Sequence, residues 1–246
     1  VILWNHIVQS AWAAKLDKAV RHAAMNVFPE YTFQKDLNSE AIKVQIDASY
    51  ADAQSCMFTL QGKGLHLDPP TEASLIDMDP GKPPEEIATD DDLLVRACSQ
   101  FIRGVKLSIL LDNYTLALNG AIHLWNAFSG YIDITSGEEY DKIVPIMSVL
   151  LKQLLKIPSD KQDRGLLCKI CNTLACGLEH KVLISWSNKS RSYQVLQIEL
   201  STHKTLNLSE DDSKLLEEAL ESCESVISVL AEECDSVLFA TCARLV

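Results

Sequence analysis

Glycine is scarce in this chain, with 9 in 246 residues, and aromatics make up only 7%. A protein of many strands joined by tight turns draws on both, so the shortage weighs against an all-β architecture. Basic residues are also few: 22 Lys and Arg stand against 34 Asp and Glu, a formal net charge of −12. A phosphate-gripping surface needs clustered Lys and Arg, and nucleic acid is not expected as a partner. No apolar run approaches the roughly 18 residues of a bilayer-spanning helix, so no membrane partner is expected either. G-x-S-x-G elbow, P-loop, dinucleotide fingerprint and HExxH pair are all missing. The histidines (His6, His22, His66, His123, His180 and His203) are scattered. With no catalytic constellation, the expectation is a protein that is not an enzyme and carries no cofactor. An initiator Met and a basic, signal-like start are lacking too. Val1-Ile2-Leu3-Trp4 reads as helix interior, as in a piece cut from a longer protein.

What is present is helical periodicity. Hydrophobic residues make up 47% of the chain. From Asp90 to Gly130, Leu94, Ala97, Cys98, Phe101, Ile102, Val105 and Ile109 recur at three- and four-residue steps. Asp90, Asp91 and Asp92 supply negative charge at the helix start, and Leu111-Asp112-Asn113 interrupts the run. Tyr114, Ala117, Leu118, Ala121, Ile122, Leu124, Trp125 and Phe128 restart it, with Gly130 expected as a left-handed C-cap. Two helices with so short a break fold into a hairpin. The same plan opens the chain: Trp4, Ile7, Val8, Ala11 and Ala14, a break at Leu16-Asp17-Lys18, then Val20, Ala23, Ala24, Val27 and Phe28 before Pro29. A recurring supersecondary unit is the mark of a helical repeat array.

Asn38 or Ser39 opens a third helix that runs to Leu60 and ends before Gly62. Residues 67–89 change character. LDPPTEASLIDMDPGKPPEEIAT is acidic, proline-rich and without period, a linker or disordered insert. The expected organisation is therefore hairpin repeats over 1–66, the acidic Pro-rich insert over 67–89, and a helical repeat segment over 90–246. Within the last, Ser136-Gly-Glu-Glu139 is a capping-box pattern, and a helix follows to Leu155 with Pro145 in its first turns. Ser159 begins another, expected to cap at Gly177. Residues 181–200 read as helix or as a strand pair, with helix favoured by their surroundings. Ser209 caps a terminal helix or helix pair.

Cys168, Cys171, Cys176 and His180 form C-x2-C-x4-C-x3-H, four potential zinc ligands. A zinc knuckle needs a tight turn between its ligands, whereas this stretch looks helical, and reduced core thiols are the favoured reading. The 8 cysteines at helical spacing fit a reducing, cytoplasmic setting. Asp77, Asp79, Glu85, Glu86, Asp90 and Asp91 are candidates for binding a basic partner surface, weighed against a plain solvated loop. Trp4, Trp12, Trp125 and Trp186 are expected between helices rather than as exposed anchors.

The hairpins resemble tetratricopeptide repeats. Ala24-x3-Phe28-Pro29 and Ala121-x3-Trp125 match the second half of that pattern, while the first helices lack its Gly and Tyr. HEAT or armadillo units, in a soluble adaptor binding cargo or peptide, are the alternative; a helical metal-dependent enzyme using the Cys/His set is a third. A more particular likeness rests on Asn119-Gly-Ala-Ile-His-Leu-Trp-Asn126, the apolar helix from Ile143 to Ile157, and the small-residue helix from Cys168 to Leu183. These resemble elements of the large, tetratricopeptide-rich cilia- and flagella-associated proteins of the axonemal central apparatus. That resemblance implies an all-α solenoid and a non-enzymatic scaffold whose partners are other subunits of a large, microtubule-associated assembly in the cytoskeleton of the cilium.

Overall fold

The computed structural model describes residues 2–28, 39–60, 70–76, 89–132, 140–189, 209–230 and 236–245. Among the described residues all regular structure is helical. The helices are α1 (Ile2–Ala13), α2 (Asp17–Met25), α3 (Ser39–Leu60), α4 (Glu72–Ile76), α5 (Asp90–Leu110), α6 (Tyr114–Ile132), α7 (Tyr140–Leu154), α8 (Arg164–Lys189), α9 (Glu210–Leu230) and α10 (Ser236–Leu245). They divide between two compact units. One comprises Val1–Gly130 with Ser148–Gln162, the other Tyr131–Met147 with Asp163–Val246.

In the first unit the two expected hairpins share one turn. Lys15 and Asp112 adopt the left-handed conformation, with φ of 54° and 55°. At the first turn Lys15 N–H donates to Trp12 O and Leu16 N–H to Ala11 O; at the second, Asp112 N–H donates to Ile109 O and Asn113 N–H to Ser108 O, all at 2.9 Å. This is the Schellman pattern, which satisfies the last carbonyls of one helix and reverses the chain into the next. Aligning the hairpins on these turns makes Lys15, rather than Leu16-Asp17, the counterpart of Asp112. The alignment pairs Val8 with Val105, Val20 with Ala117, Ala24 with Ala121 and Val27 with Leu124, all buried. It also sets Phe28 against Trp125, so the two Ala-x3-aromatic elements stand at the same place in their hairpins.

Helix α3 lies between these pairs. Its Val44, Ala48 and Ala51 join Val8, Ala11, Val20, Ala23, Ala24, Val27 and Phe28 in one cluster, while its Ile42 and Ile46 pack with Leu107 of α5. Helix α4 also packs on α5. It begins with reciprocal bonds between Thr71 and Ser74, and Leu75 is buried. This short helix lies within the stretch 67–89 that the sequence marks as a linker or disordered insert.

In the second unit α8 packs on α9, and α10 on both. Leu167, Ile170, Leu174 and Leu178 of α8, Ala219, Cys223 and Val226 of α9, and Leu238 of α10 are buried. Thr241 donates to Asn172 Oδ1 at 2.6 Å, tying α10 to α8. The terminal segment is therefore a helix pair.

Several expected ends move. Gly130 lies inside α6 and Gly177 inside α8, so neither caps a helix. Helix α5 is capped by Thr89, whose Oγ1 accepts from Asp92 N–H at 3.1 Å while the Asp92 carboxylate accepts from Thr89 N–H at 3.2 Å. Ser159 opens only a 3-10 turn; α8 starts at Arg164, with Asp163 Oδ1 accepting from Leu166 N–H. Ser209 caps α9 as expected. Residues 181–189 continue α8, while residues 190–200 and the Ser136–Glu139 box lie outside the described residues.

Candidate functional site

The Cys/His set is spread along one continuous helix. Cys168, Cys171, Cys176 and His180 all belong to α8, and at 1.5 Å per residue the first and last stand about 18 Å apart along its axis. Cys168 and Cys171 are buried in the second unit's core, whereas Cys176 and His180 are half-buried. Among the described residues no three His, Cys, Asp or Glu side chains gather closely enough to hold a metal ion. The structure thus places these residues without bringing them together. Asp90 and Asp91 lie half-buried in the first turn of α5. Asp77, Asp79, Glu85 and Glu86 lie outside the described residues.

The polar groups that the fold does bring together are buried between α3, α5 and α2, and no sequence pattern singled them out. Arg96 Nε donates to Asp52 Oδ2 at 2.8 Å, with both side chains fully excluded from solvent. Arg103 donates to Gln45 Oε1 at 2.9 Å, and Arg21 donates to Thr59 Oγ1 at 2.9 Å. Burial raises the Asp52 carboxyl above its ordinary 3.8, against the pull of Arg96. Burial, with Asp52 nearby, likewise pushes up the Cys56 thiol, and burial alone pushes up Cys98. A thiol held protonated is a poor nucleophile. Cys56 and Cys98 are therefore expected to resist iodoacetamide in the native protein and to be alkylated once urea unfolds it, as mass mapping of the modified peptides will read.

Some large apolar side chains also stand at the surface. Trp4 and Trp12 pack half-buried against the core, as expected of inter-helix tryptophans, and Trp125 is half-buried too; the Trp186 side chain lies outside the described residues. Ile7, however, belongs to the apolar stripe of α1 and is 38% exposed, Leu3 beside it on α1 is 71% exposed, and Leu16 follows in the turn. Phe58 at the end of α3 is 51% exposed and meets the Trp12 ring at 5.7 Å between centroids. In the second unit Val237 and Phe239 of α10 are exposed. One signal was available for α1: from Ile2 to Ala13 it has no Lys, Arg, Asp or Glu. Its water-facing polar residues, His6, Gln9 and Ser10, are few, and Leu3 and Ile7 stand exposed among them.

This chain is similar to the cilia- and flagella-associated protein 46 of Chlamydomonas reinhardtii, with 20% identity over 183 residues. The match takes in 74% of this chain and 6% of that protein, so the chain spans a small fraction of the curated relative. No family model matches the chain, and no solved structure does. Among the described residues no helix is long and apolar enough to cross a membrane.

Proposed function

We propose that this chain is a segment of a non-enzymatic, tetratricopeptide-like α-solenoid that scaffolds protein–protein contacts in the ciliary axoneme, in a central-apparatus projection. The similarity to the Chlamydomonas protein carries the ciliary part of this reading. The scaffold part is supported by two hairpins with the same turn and the same buried positions, flanked by helix faces that remain apolar at the surface. The first hairpin buries one side and leaves Leu3 and Ile7 of the other at the surface, so the unit is suited to extension. The partners in this reading are other protein subunits in contact with microtubules, and no cofactor takes part.

Crosslinking with mass spectrometry on isolated axonemes carrying the tagged endogenous protein tests it. Crosslinks to central-apparatus subunits are the expected result. A freely diffusing monomer without crosslinks, or a protein absent from the axoneme, would overturn the reading.

A further inference from the structure

The matched hairpins say what belongs on the outward face of α1. In the second hairpin the corresponding face of α5 is covered by α3: the Phe101 ring lies 6.2 Å from that of Tyr50, Arg103 bonds Gln45, Gly104 abuts the Tyr50 ring, and Leu107 packs on Ile42 and Ile46. The counterparts on α1 are Trp4, His6, Ile7 and Ser10. His6, Ile7 and Ser10 are exposed. Gln100, one position earlier, is buried, while its counterpart Leu3 is 71% exposed. Trp4 and Ala23 pack on the core, but at Leu3, His6, Ile7 and Ser10 the first hairpin leaves exposed the surface that a helix occupies on the second.

We propose that this face is the seat of an amphipathic α-helix from a further hairpin of the array, lying on α1 as α3 lies on α5. The inference rests on the scaffold reading for the source of that helix, but on the fold alone for its chemistry. Ile7 and Ala23 stand where Gly104 and Gly120 admit the Tyr50 ring, so the incoming helix carries a small side chain at that level. Its facing stripe is largely uncharged: Leu3, Ile7 and Ser10 bring no charge to it, and His6 stands where Arg103 meets Gln45 of α3 on the second hairpin. The absence of Lys, Arg, Asp and Glu from α1, in a chain of net charge −12, fits a helix covered on both sides.

The probe is a synthetic peptide of the 22-residue α3 sequence carrying Gln45→Ala, Tyr50→Ala and Asp52→Ala, titrated against the full chain. Saturable binding is expected, weakened at least about tenfold by Ile7→Glu, as for loss of an apolar anchor, and unchanged by Ile76→Glu at an exposed site on α4. The same peptide with Tyr50 restored is expected to bind about tenfold more weakly, since the ring meets Ile7. Leu3→Glu, at a more exposed position, replaces Ile7→Glu if circular dichroism shows that the latter unfolds the chain. Absent binding, or binding indifferent to both α1 variants, overturns the proposal. So does self-association of the chain that Ile7→Glu abolishes in sedimentation runs, because a second copy then holds the face. Axonemal crosslinks that persist without peptide binding would sink this docking face and spare the scaffold reading; the reverse would sink only the ciliary placement.

Discussion

Arg96→Met is expected to lower unfolding stability by about 3–5 kcal/mol at neutral pH, the range for stranding one member of a buried ion pair. Arg96 and Asp52 are both fully buried and bonded at 2.8 Å. Methionine fills much of the arginine's volume, so lost packing contributes little and the stranded carboxylate dominates. Asp52 retains only weak compensation from Arg21, which also faces it electrostatically. Burial already raises the Asp52 carboxyl, and losing Arg96 raises it further. The folded state then holds a proton that the unfolded state releases above 3.8. The variant's stability is therefore greatest below that pH and is lost as pH rises through the folded-state value. Urea melts across pH should show the deficit growing from acid to neutral. The double variant Asp52→Leu/Arg96→Met removes both charges and should recover most of the loss. A deficit in Arg96→Met under about 1 kcal/mol, as for exposed pairs, would show that the pair is solvated.

That ion pair also marks where sequence reading reaches its limit. Helical periodicity located α1, α2, α3, α5 and α6 because burial there follows a 3.6-residue repeat of apolar side chains. Arg96, Gln100, Asp52 and Gln45 interrupt that repeat, so they read as solvent-facing positions. Only the packing of α3 on α5 puts them inside. Glycine misled in a different way. Gly130 and Gly177 lie inside helices, whereas the left-handed caps fall on Lys15 and Asp112. A non-glycine residue can occupy that position when the chain reversal around it is well bonded, and composition alone does not reveal it. The Thr89 box is readable in the sequence, since a threonine three residues before an acid is a recognised start signal, although the three aspartates that follow it carry the same helix-start charge. Ile7 fits the apolar stripe of α1 by spacing, yet its outward side shows only against α5. The Cys/His spacing on α8 is legible as a pattern, and the helical context of these residues spreads them along one axis.

Tyr50→Ala should cost about 3 kcal/mol, the low end for removal of a core aromatic because Tyr50 is half-buried, and the loss should depend on two glycines. Gly104 of α5 and Gly120 of α6 are equidistant in sequence from the Asp112 turn, and a Cβ on either would collide with the Tyr50 ring. The phenol donates to Leu116 O at 3.1 Å and lies 3.4 Å from Ser108 Oγ. Leu116 and Ser108 are again symmetric about the turn, so one side chain from α3 enters the seam between two antiparallel helices. Inside a helix, Gly→Ala ordinarily stabilises by about 1 kcal/mol. At Gly120 the added methyl must displace a ring fixed by its hydrogen bond, and Gly120→Ala is expected to destabilise by about 1–3 kcal/mol. With Tyr50→Ala in place the same methyl enters vacated space. The double variant should then be at least as stable as Tyr50→Ala alone, a coupling of about 2 kcal/mol or more in a double-mutant cycle. Tyr50→Phe separates ring from hydroxyl and should lose only about 1 kcal/mol. Additive effects across the cycle would mean that the ring and Gly120 do not touch. The close approach of α5 and α6 would then rest on other contacts, and Gly120 in the Asn119–Asn126 element would be no more than a helix position that alanine improves.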